Sequence, residues 1–221
     1  MIRIVLVDDH ALVRRGLRGI LEEQPEFRVV GEAADGAQLP AVLREHPADV
    51  VVLDIGLPGR SGIEIVQALA QEHPGVRVLM LSIYPEDQYG LRALRSGAAG
   101  YLNKTSAPEE LVSAVQTLAS GRKYVSPALA QALVLNLTGE SGDRPHERLS
   151  NREYQTLLAI ARGKRLAEIA EELALSPKTV SVYRARILEK LGLANNVELT
   201  HYALKQGLVD YFAAVWDWIA P

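Results

Sequence analysis

Through the first half of the chain, short and nearly continuous runs of Val, Ile and Leu alternate with longer stretches whose apolar residues recur at helical spacing. Ile2 to Val7, Arg28 to Ala33, Val50 to Leu53, Val76 to Leu81 and Gly100 to Leu102 read as strands buried on both faces. Leu12 to Glu23, Asp35 to His46, Gly62 to Glu72, Glu86 to Ser96 and Pro108 to Ser120 lie between or after them and have helical length. Five strand-helix alternations predict right-handed crossovers onto one parallel sheet, hence an α/β domain with a doubly wound, five-stranded sheet.

A further helix is predicted over Pro127 to Leu137, with Ser126 as N-cap and Pro127 at its first position. The stretch Gly139 to His146 then has the Gly, Pro and charge content of a flexible boundary. Beyond it the pattern is wholly helical. Ser150-Asn151-Arg152-Glu153 forms a capping box, and Gly163 supplies a left-handed C-cap. Leu166 to Leu173 reads as a second helix, Ala174-Leu175 as a short turn, and Ser176-Pro177 as the start of a third helix ending at Gly192. Two short helices joined so tightly are a helix-turn-helix candidate. The expected organisation is a domain over 1–122, a connector helix and linker over 123–147, and a small all-α domain over 148–221.

Composition narrows the function classes. The 221 residues are 48% apolar and 23% charged, as in folded globular proteins, and Cys is absent, which removes disulfides, thiolate metal sites and a cysteine nucleophile. No apolar run approaches the ~18 residues of a membrane span. The start, Met1 to Asp9, meets acid too early for a signal peptide, so the expected address is the cytoplasm, with no membrane partner. The net charge of −3 is unevenly spread: residues 1–146 hold 14 Lys and Arg against 18 Asp and Glu, and 147–221 hold 10 against 9.

Asp8 and Asp9 follow the first predicted strand and Asp54 the third, at the sheet edge where open parallel sheets bind ligands. Carboxylates so close repel one another unless a cation joins them. All-oxygen ligation, with no Cys and no nearby cluster of His to compete, suits Mg²⁺, and one carboxylate can then act as a nucleophile toward a phosphoryl group. Ser82, after the fourth strand, offers a hydroxyl, and Lys104, after the fifth, offers a mobile ammonium. Singly, each residue is as well explained by a cap or a solvated surface. Four strand ends of one sheet delivering matched groups are not.

Asp8-Asp9, Asp54 with Ile55-Gly56-Leu57-Pro58-Gly59, Leu81-Ser82, and Gly97 through Lys104 resemble the receiver domain of two-component response regulators, a flavodoxin-like fold, over residues 1 to about 120. The resemblance implies that Asp54 accepts a phosphoryl group from a sensor histidine kinase. It implies further that Asp8, Asp9, Asp54 and the Gly56 carbonyl hold Mg²⁺, that Ser82 and Lys104 contact the phosphoryl, and that Tyr101 is the switch aromatic. The Tyr101 ring also fits as an amphipathic body packed on the fourth helix, and the two readings are compatible. Ile83 departs from the family, which often has a small side chain after the hydroxyl residue.

In the third C-terminal helix, Val180, Ile187 and Leu191 share one stripe, leaving Lys178, Ser181, Val182, Ala185 and Arg186 outward. Residues 176–192 hold Lys178, Arg184, Arg186 and Lys190 against Glu189, a net +3 suited to DNA, while a solvated helical hairpin is the plain alternative. Leu149 to Glu153, Gly163, Glu168-Ile169-Ala170, Leu175-Ser176, Lys178-Thr179-Val180 and Lys190-Leu191-Gly192 resemble the LuxR-type helix-turn-helix of NarL/FixJ response regulators over about 148–208. The resemblance implies base reading by Ser181, Val182 and Ala185, with Lys178, Thr179 and Arg186 at the backbone or flanks of promoter DNA. Tyr183 and Asn196 stand where the family often has His and Arg.

The expected function is a phosphorylation-dependent DNA-binding transcription regulator, a homodimer when phosphorylated and not an enzyme. A regulator worked by protein partners without phosphate is one alternative. A Mg²⁺-dependent aspartyl-phosphate hydrolase is another, although such enzymes usually carry a second Asp two residues after a nucleophile on the first strand, and Asp8-Asp9-His10 lacks it. Phe212, Val215, Trp216 and Ile219 fall at helical spacing, so a last amphipathic helix is expected over 210–221.

Overall fold

The structure is a computed structural model that describes residues 1–137 and 144–209. It divides into two compact units, Met1–Glu140 and Ser141–Pro221. No described helix is long and apolar enough to cross a membrane. The helix expected over 210–221 lies outside the described residues.

In the first unit β1 (Ile2–Val7), β2 (Phe27–Ala33), β3 (Val50–Asp54), β4 (Arg77–Ser82) and β5 (Gly100–Asn103) form one parallel sheet in the order β2-β1-β3-β4-β5. The strands alternate with α1 (Ala11–Glu22), α2 (Leu39–Glu45), α3 (Gly62–Glu72), α4 (Glu86–Arg95) and α5 (Pro108–Ala119). Each strand presents alternate side chains to opposite faces. Ile4, Leu6, Val50, Val52, Leu79 and Leu81 are buried with Leu21 of α1 and Leu111, Ala114, Val115 and Leu118 of α5. On the other positions Val5, Val7, Val51, Leu53 and Met80 are equally buried, which is why these strands read as unbroken apolar runs.

Two expected boundaries move. The second helix starts at Leu39, four residues after the expected Asp35, because the Asp35 carboxylate accepts from the backbone N–H groups of Ala37 and Gln38 and closes a turn there instead. His146, expected in the flexible boundary, is buried: it sits in a 3₁₀ helix, Pro145–Arg148, and both its backbone N–H and its Nδ1 meet the Tyr202 hydroxyl.

The helix α6 (Pro127–Leu137) packs on α4. Leu129 is fully buried against Gly90, where an added Cβ would stand only 2.6 Å from Leu129 Cδ1. The Ser126 hydroxyl, which accepts from the Leu129 N–H at 3.2 Å, donates to the Glu86 carboxylate, whose other oxygen accepts from the Asn103 N–H at 3.3 Å. One carboxylate thus fastens the starts of two helices to the end of β5.

The second unit is helical: α7 (Asn151–Ala161), α8 (Leu166–Glu172), α9 (Pro177–Leu191) and α10 (Asn196–Lys205). Ser150 accepts from the Glu153 N–H while the Glu153 carboxylate accepts from the Ser150 N–H, the reciprocal cap that starts α7. The same carboxylate takes the Lys190 ammonium at 2.7 Å, joining α7 to α9. Tyr154, Leu157, Ile169, Val180, Ile187, Leu199 and Ala203 are buried together as apolar core positions. Gly192 closes α9 at φ +66°, a conformation that costs glycine nothing.

Candidate functional site

The sheet order reverses between β1 and β3, and a crevice opens outside the strand ends at such a switch point. Val7 pairs with Leu53, so Asp8, one residue on, comes beside Asp54. Asp54 is opposite Leu81 of β4, and Ser82 is opposite Asn103 of β5, so Ser82 and Lys104 emerge at the same edge. Register alone therefore brings four strand ends together.

The ligating atoms of Asp8, Asp9, His10 and Asp54 all lie within 4.8 Å of one another. Asp8 and Asp54 are buried and Asp9 is exposed at the mouth. Lys104 Nζ reaches Asp8 Oδ2 at 2.7 Å and Asp54 Oδ2 at 3.0 Å, so an ammonium of the chain itself offsets part of the repulsion. Burial pushes the Asp54 carboxyl above its ordinary range, Lys104 pulls it back, and the Asp8 charge adds to the rise. Burial would lower the Lys104 ammonium, but Asp54 and Asp8 outweigh it and hold it above its ordinary range.

Gly56 stands exposed beside this pocket, and a Cβ there would touch Asp54 Oδ2 at 3.4 Å, so its backbone approaches the carboxylate closely. Three carboxylates at an open mouth fit a hard divalent cation that keeps part of its water shell. Ser82 Oγ is buried and accepts from the Tyr84 N–H at 3.0 Å, and the Ile83 side chain beside it is 65% exposed. Tyr101 is fully buried, its hydroxyl donating to the Tyr84 carbonyl at 2.8 Å. Its ring thus points inward, beside α4, whose Tyr89 ring stacks on that of Tyr84 with centroids 4.8 Å apart.

Three contributors are not apparent from the sequence pattern. His10 joins the acid cluster, with Nδ1 2.8 Å from Asp9 Oδ1. Arg14 donates to the Asp8 backbone carbonyl at 2.6 Å and pairs with Glu32, which steadies the acid-bearing loop from α1. Glu86 ties β5 to α6. Only the adjacency of His10 to the Asp pair is a signal the sequence carries; the other two depend on tertiary approach.

In the second unit, Lys178, Ser181, Val182, Ala185 and Arg186 are exposed along α9, Val182 at 42%. Thr179 is half-buried, its hydroxyl 2.8 Å from that of Ser176, the residue that caps the helix. Asn196 accepts from Arg184 Nε. The turn before α9 places Ala174 at φ +51°, a left-handed conformation rare for a residue with a Cβ.

Residues 4–116 match the family model for the response regulator receiver domain, and residues 147–203 match that for bacterial regulatory proteins of the luxR family. The chain is 42% identical over 211 residues to the response regulator UvrY of Escherichia coli, covering 95% of this chain and 97% of UvrY. It is 40% identical over 210 residues to the response regulator GacA of Pseudomonas protegens, covering 95% and 99%. Among solved structures, RcsB from Salmonella enterica serovar Typhimurium, bound to promoter rprA in the presence of phosphomimetic BeF3⁻, superposes with a TM-score of 0.64 at 26% identity, covering 91% of this chain and 97% of RcsB. A LuxR-family two-component response regulator from Aurantimonas aligns with a TM-score of 0.59 at 38% identity, covering 62% and 99%. With the acid-edged parallel sheet, the helix-turn-helix and these matches together, the chain belongs to the NarL/FixJ-type response regulators, in which a receiver domain precedes a LuxR-type DNA-binding domain.

Proposed function

We propose that this regulator is switched by a phosphoryl group on Asp54, taken from the phosphohistidine of a sensor histidine kinase in the cytoplasm, and that the switched chain binds promoter DNA as a homodimer. In the transfer an Asp54 oxygen forms a bond to phosphorus as the donor's P–N bond breaks, and the leaving imidazole nitrogen keeps the electron pair. Mg²⁺, held by Asp8, Asp9, Asp54 and the Gly56 carbonyl, would supply the charge that neutralises the phosphoryl oxygens and keeps Asp54 ionised. Lys104 turns from the carboxylates to the phosphoryl, and Ser82 offers it a hydroxyl proton. Tyr101 follows the loop that Ser82 leads, because its hydroxyl bond to Tyr84 belongs to that loop.

The DNA contacts fall to α9. Lys178, Thr179 and Arg186 meet backbone or flanking positions, while Ser181, Val182 and Ala185 face the base edges. With so few hydrogen-bonding groups in that second set, methyl contacts and DNA shape carry much of the sequence choice. Phosphorylation needs only to bias an equilibrium between two arrangements of the chain.

The observation that carries this reading is the shared ammonium, Lys104 Nζ within 3.0 Å of carboxylates from two different strand ends. Treatment with acetyl phosphate and Mg²⁺, followed by intact mass, is expected to add one phosphoryl group to the wild type and none to Asp54→Asn. Phosphorylated Asp54→Asn would overturn the acceptor assignment. Footprinting on promoter DNA with and without the phosphodonor reads the output; equal affinity of wild type and Asp54→Ala would favour control by protein partners.

A further inference from the structure

The acid pocket presents two kinds of rim. On the inner side Asp8 Oδ2 and Asp54 Oδ2 face Lys104 Nζ, at 2.7 and 3.0 Å. On the outer side His10 Nδ1 lies 2.8 Å from Asp9 Oδ1 and 3.4 Å from Asp8 Oδ1. The imidazole makes no cap bond to α1, whose start is held instead by the His10 backbone N–H donating to Asp8 Oδ1 at 2.8 Å. The ring is therefore not spent on folding, and at 68% exposed it can turn.

Its spacing is that of a ligand. Donor atoms ~2.1 Å from one ion stand ~3 Å apart when adjacent and ~4.2 Å apart when opposite. The 2.8 and 3.4 Å separations on the outer rim already suit the adjacent case, and the full set, within 4.8 Å, needs a contraction of up to about 0.6 Å to meet the opposite case. Ligation requires the tautomer that carries its proton on Nε2, which the exposed side of the ring permits.

We propose that His10 adds a ligand at this pocket for borderline divalent ions such as Zn²⁺ and Co²⁺, making it a mixed nitrogen-oxygen site for them and not for Mg²⁺. The proposal rests on the reading of Asp8, Asp9 and Asp54 as a cation site. Imidazole is a good ligand for Zn²⁺ and Co²⁺ and a poor one for Mg²⁺, which prefers oxygen and holds its water. A borderline ion gains the nitrogen, whereas Mg²⁺ uses only the oxygens, those of the carboxylates and of the Gly56 carbonyl. Any carboxylate site binds Zn²⁺ or Co²⁺ more tightly than Mg²⁺, so bare preference proves nothing. The informative quantity is the change when the imidazole is removed.

The experiment uses the full chain. Co²⁺ affinity is read from visible absorption, and Mg²⁺ affinity from calorimetry or from competition with Co²⁺, in the wild type, His10→Ala and Asp9→Asn. His10→Ala is expected to weaken Co²⁺ by at least about tenfold and Mg²⁺ by less than about twofold, and to change the Co²⁺ spectrum. Unchanged Co²⁺ affinity, or an equal loss of both ions, overturns the assignment of His10. Asp9→Asn separates that failure from a deeper one. If it weakens both ions while His10→Ala spares Co²⁺, the pocket binds cations without His10; if it spares both, the cation reading of the pocket fails as well.

Discussion

The Tyr101 hydroxyl donates to the Tyr84 carbonyl at 2.8 Å, fastening β5 to the loop that leaves β4. Asn103 Nδ2 donates to the same carbonyl at 3.2 Å, so Tyr101→Phe still leaves that oxygen a donor. The expected cost is about 1 kcal/mol, the net worth of one intramolecular hydrogen bond, against about 3–5 kcal/mol for Tyr101→Ala, which also empties a fully buried ring site. Hydrogen exchange of β5 peptides measures both. A Tyr101→Phe loss as large as that of Tyr101→Ala would mean the hydroxyl, not the ring, holds this corner.

Asp54 gives stability a pH dependence. Its folded carboxyl, raised chiefly by burial, holds its proton more tightly than the unfolded chain does. That contribution is fully present below the ordinary value of 3.8 and is lost as pH rises through the folded value, so at neutral pH the ionised side chain is a burden. Asp54→Asn is expected to increase the exchange protection of β3 at about pH 7, and the gain should shrink on acidification. A neutral-pH loss would show that the Lys104 pairing outweighs desolvation.

Glu153 has the opposite sign. Burial alone would raise it, but Lys190 and the Ser150 N–H hold it below its ordinary value of 4.5. Its contribution is present above 4.5 and is lost as pH falls through the lower folded value. Glu153→Gln keeps an acceptor for the Ser150 N–H and removes the charge, so it should cost about 0.5–1 kcal/mol at neutral pH and little in acid. Exchange of α7 peptides against pH checks this; a cost that persists undiminished in acid assigns the effect to the cap.

On α9, Lys178→Ala should weaken binding to all DNA sequences alike and reduce the slope of log affinity against log salt by about 1. Val182→Ser should instead change which sequences are preferred while leaving the slope in place. Anisotropy titrations at several salt concentrations, on DNA selected by the wild type, distinguish them. A salt slope that Lys178→Ala leaves intact removes Lys178 from the phosphate contacts.

Much of the receiver sheet is legible in the sequence, since strands covered on both faces must be nearly continuous apolar runs and Asp8 and Asp54 interrupt two of them at the same edge. The α9 caps are equally plain, Ser176 before Pro177 and Gly192 after Leu191. What escapes is whatever depends on distant approach. Lys104 is visible as a residue after β5, but its reach to Asp8, 96 positions away, is a product of strand order. His146 carries no apolar label, and its burial depends on approaches such as that of the Tyr202 hydroxyl on α10, which no local pattern announces. Asp35 diverts two backbone N–H groups that the helical pattern assigns to α2, because a short carboxylate competes with the helix for them.

The seat of Leu129 against Gly90 decides where the receiver can be cut. A fragment ending at residue 122 would bare the hollow above Gly90 and take the Ser126 hydroxyl away from Glu86, exposing an oily notch to solvent and to other copies. One ending after α6 is longer, keeps both, and leaves that notch filled for crystallisation or exchange work.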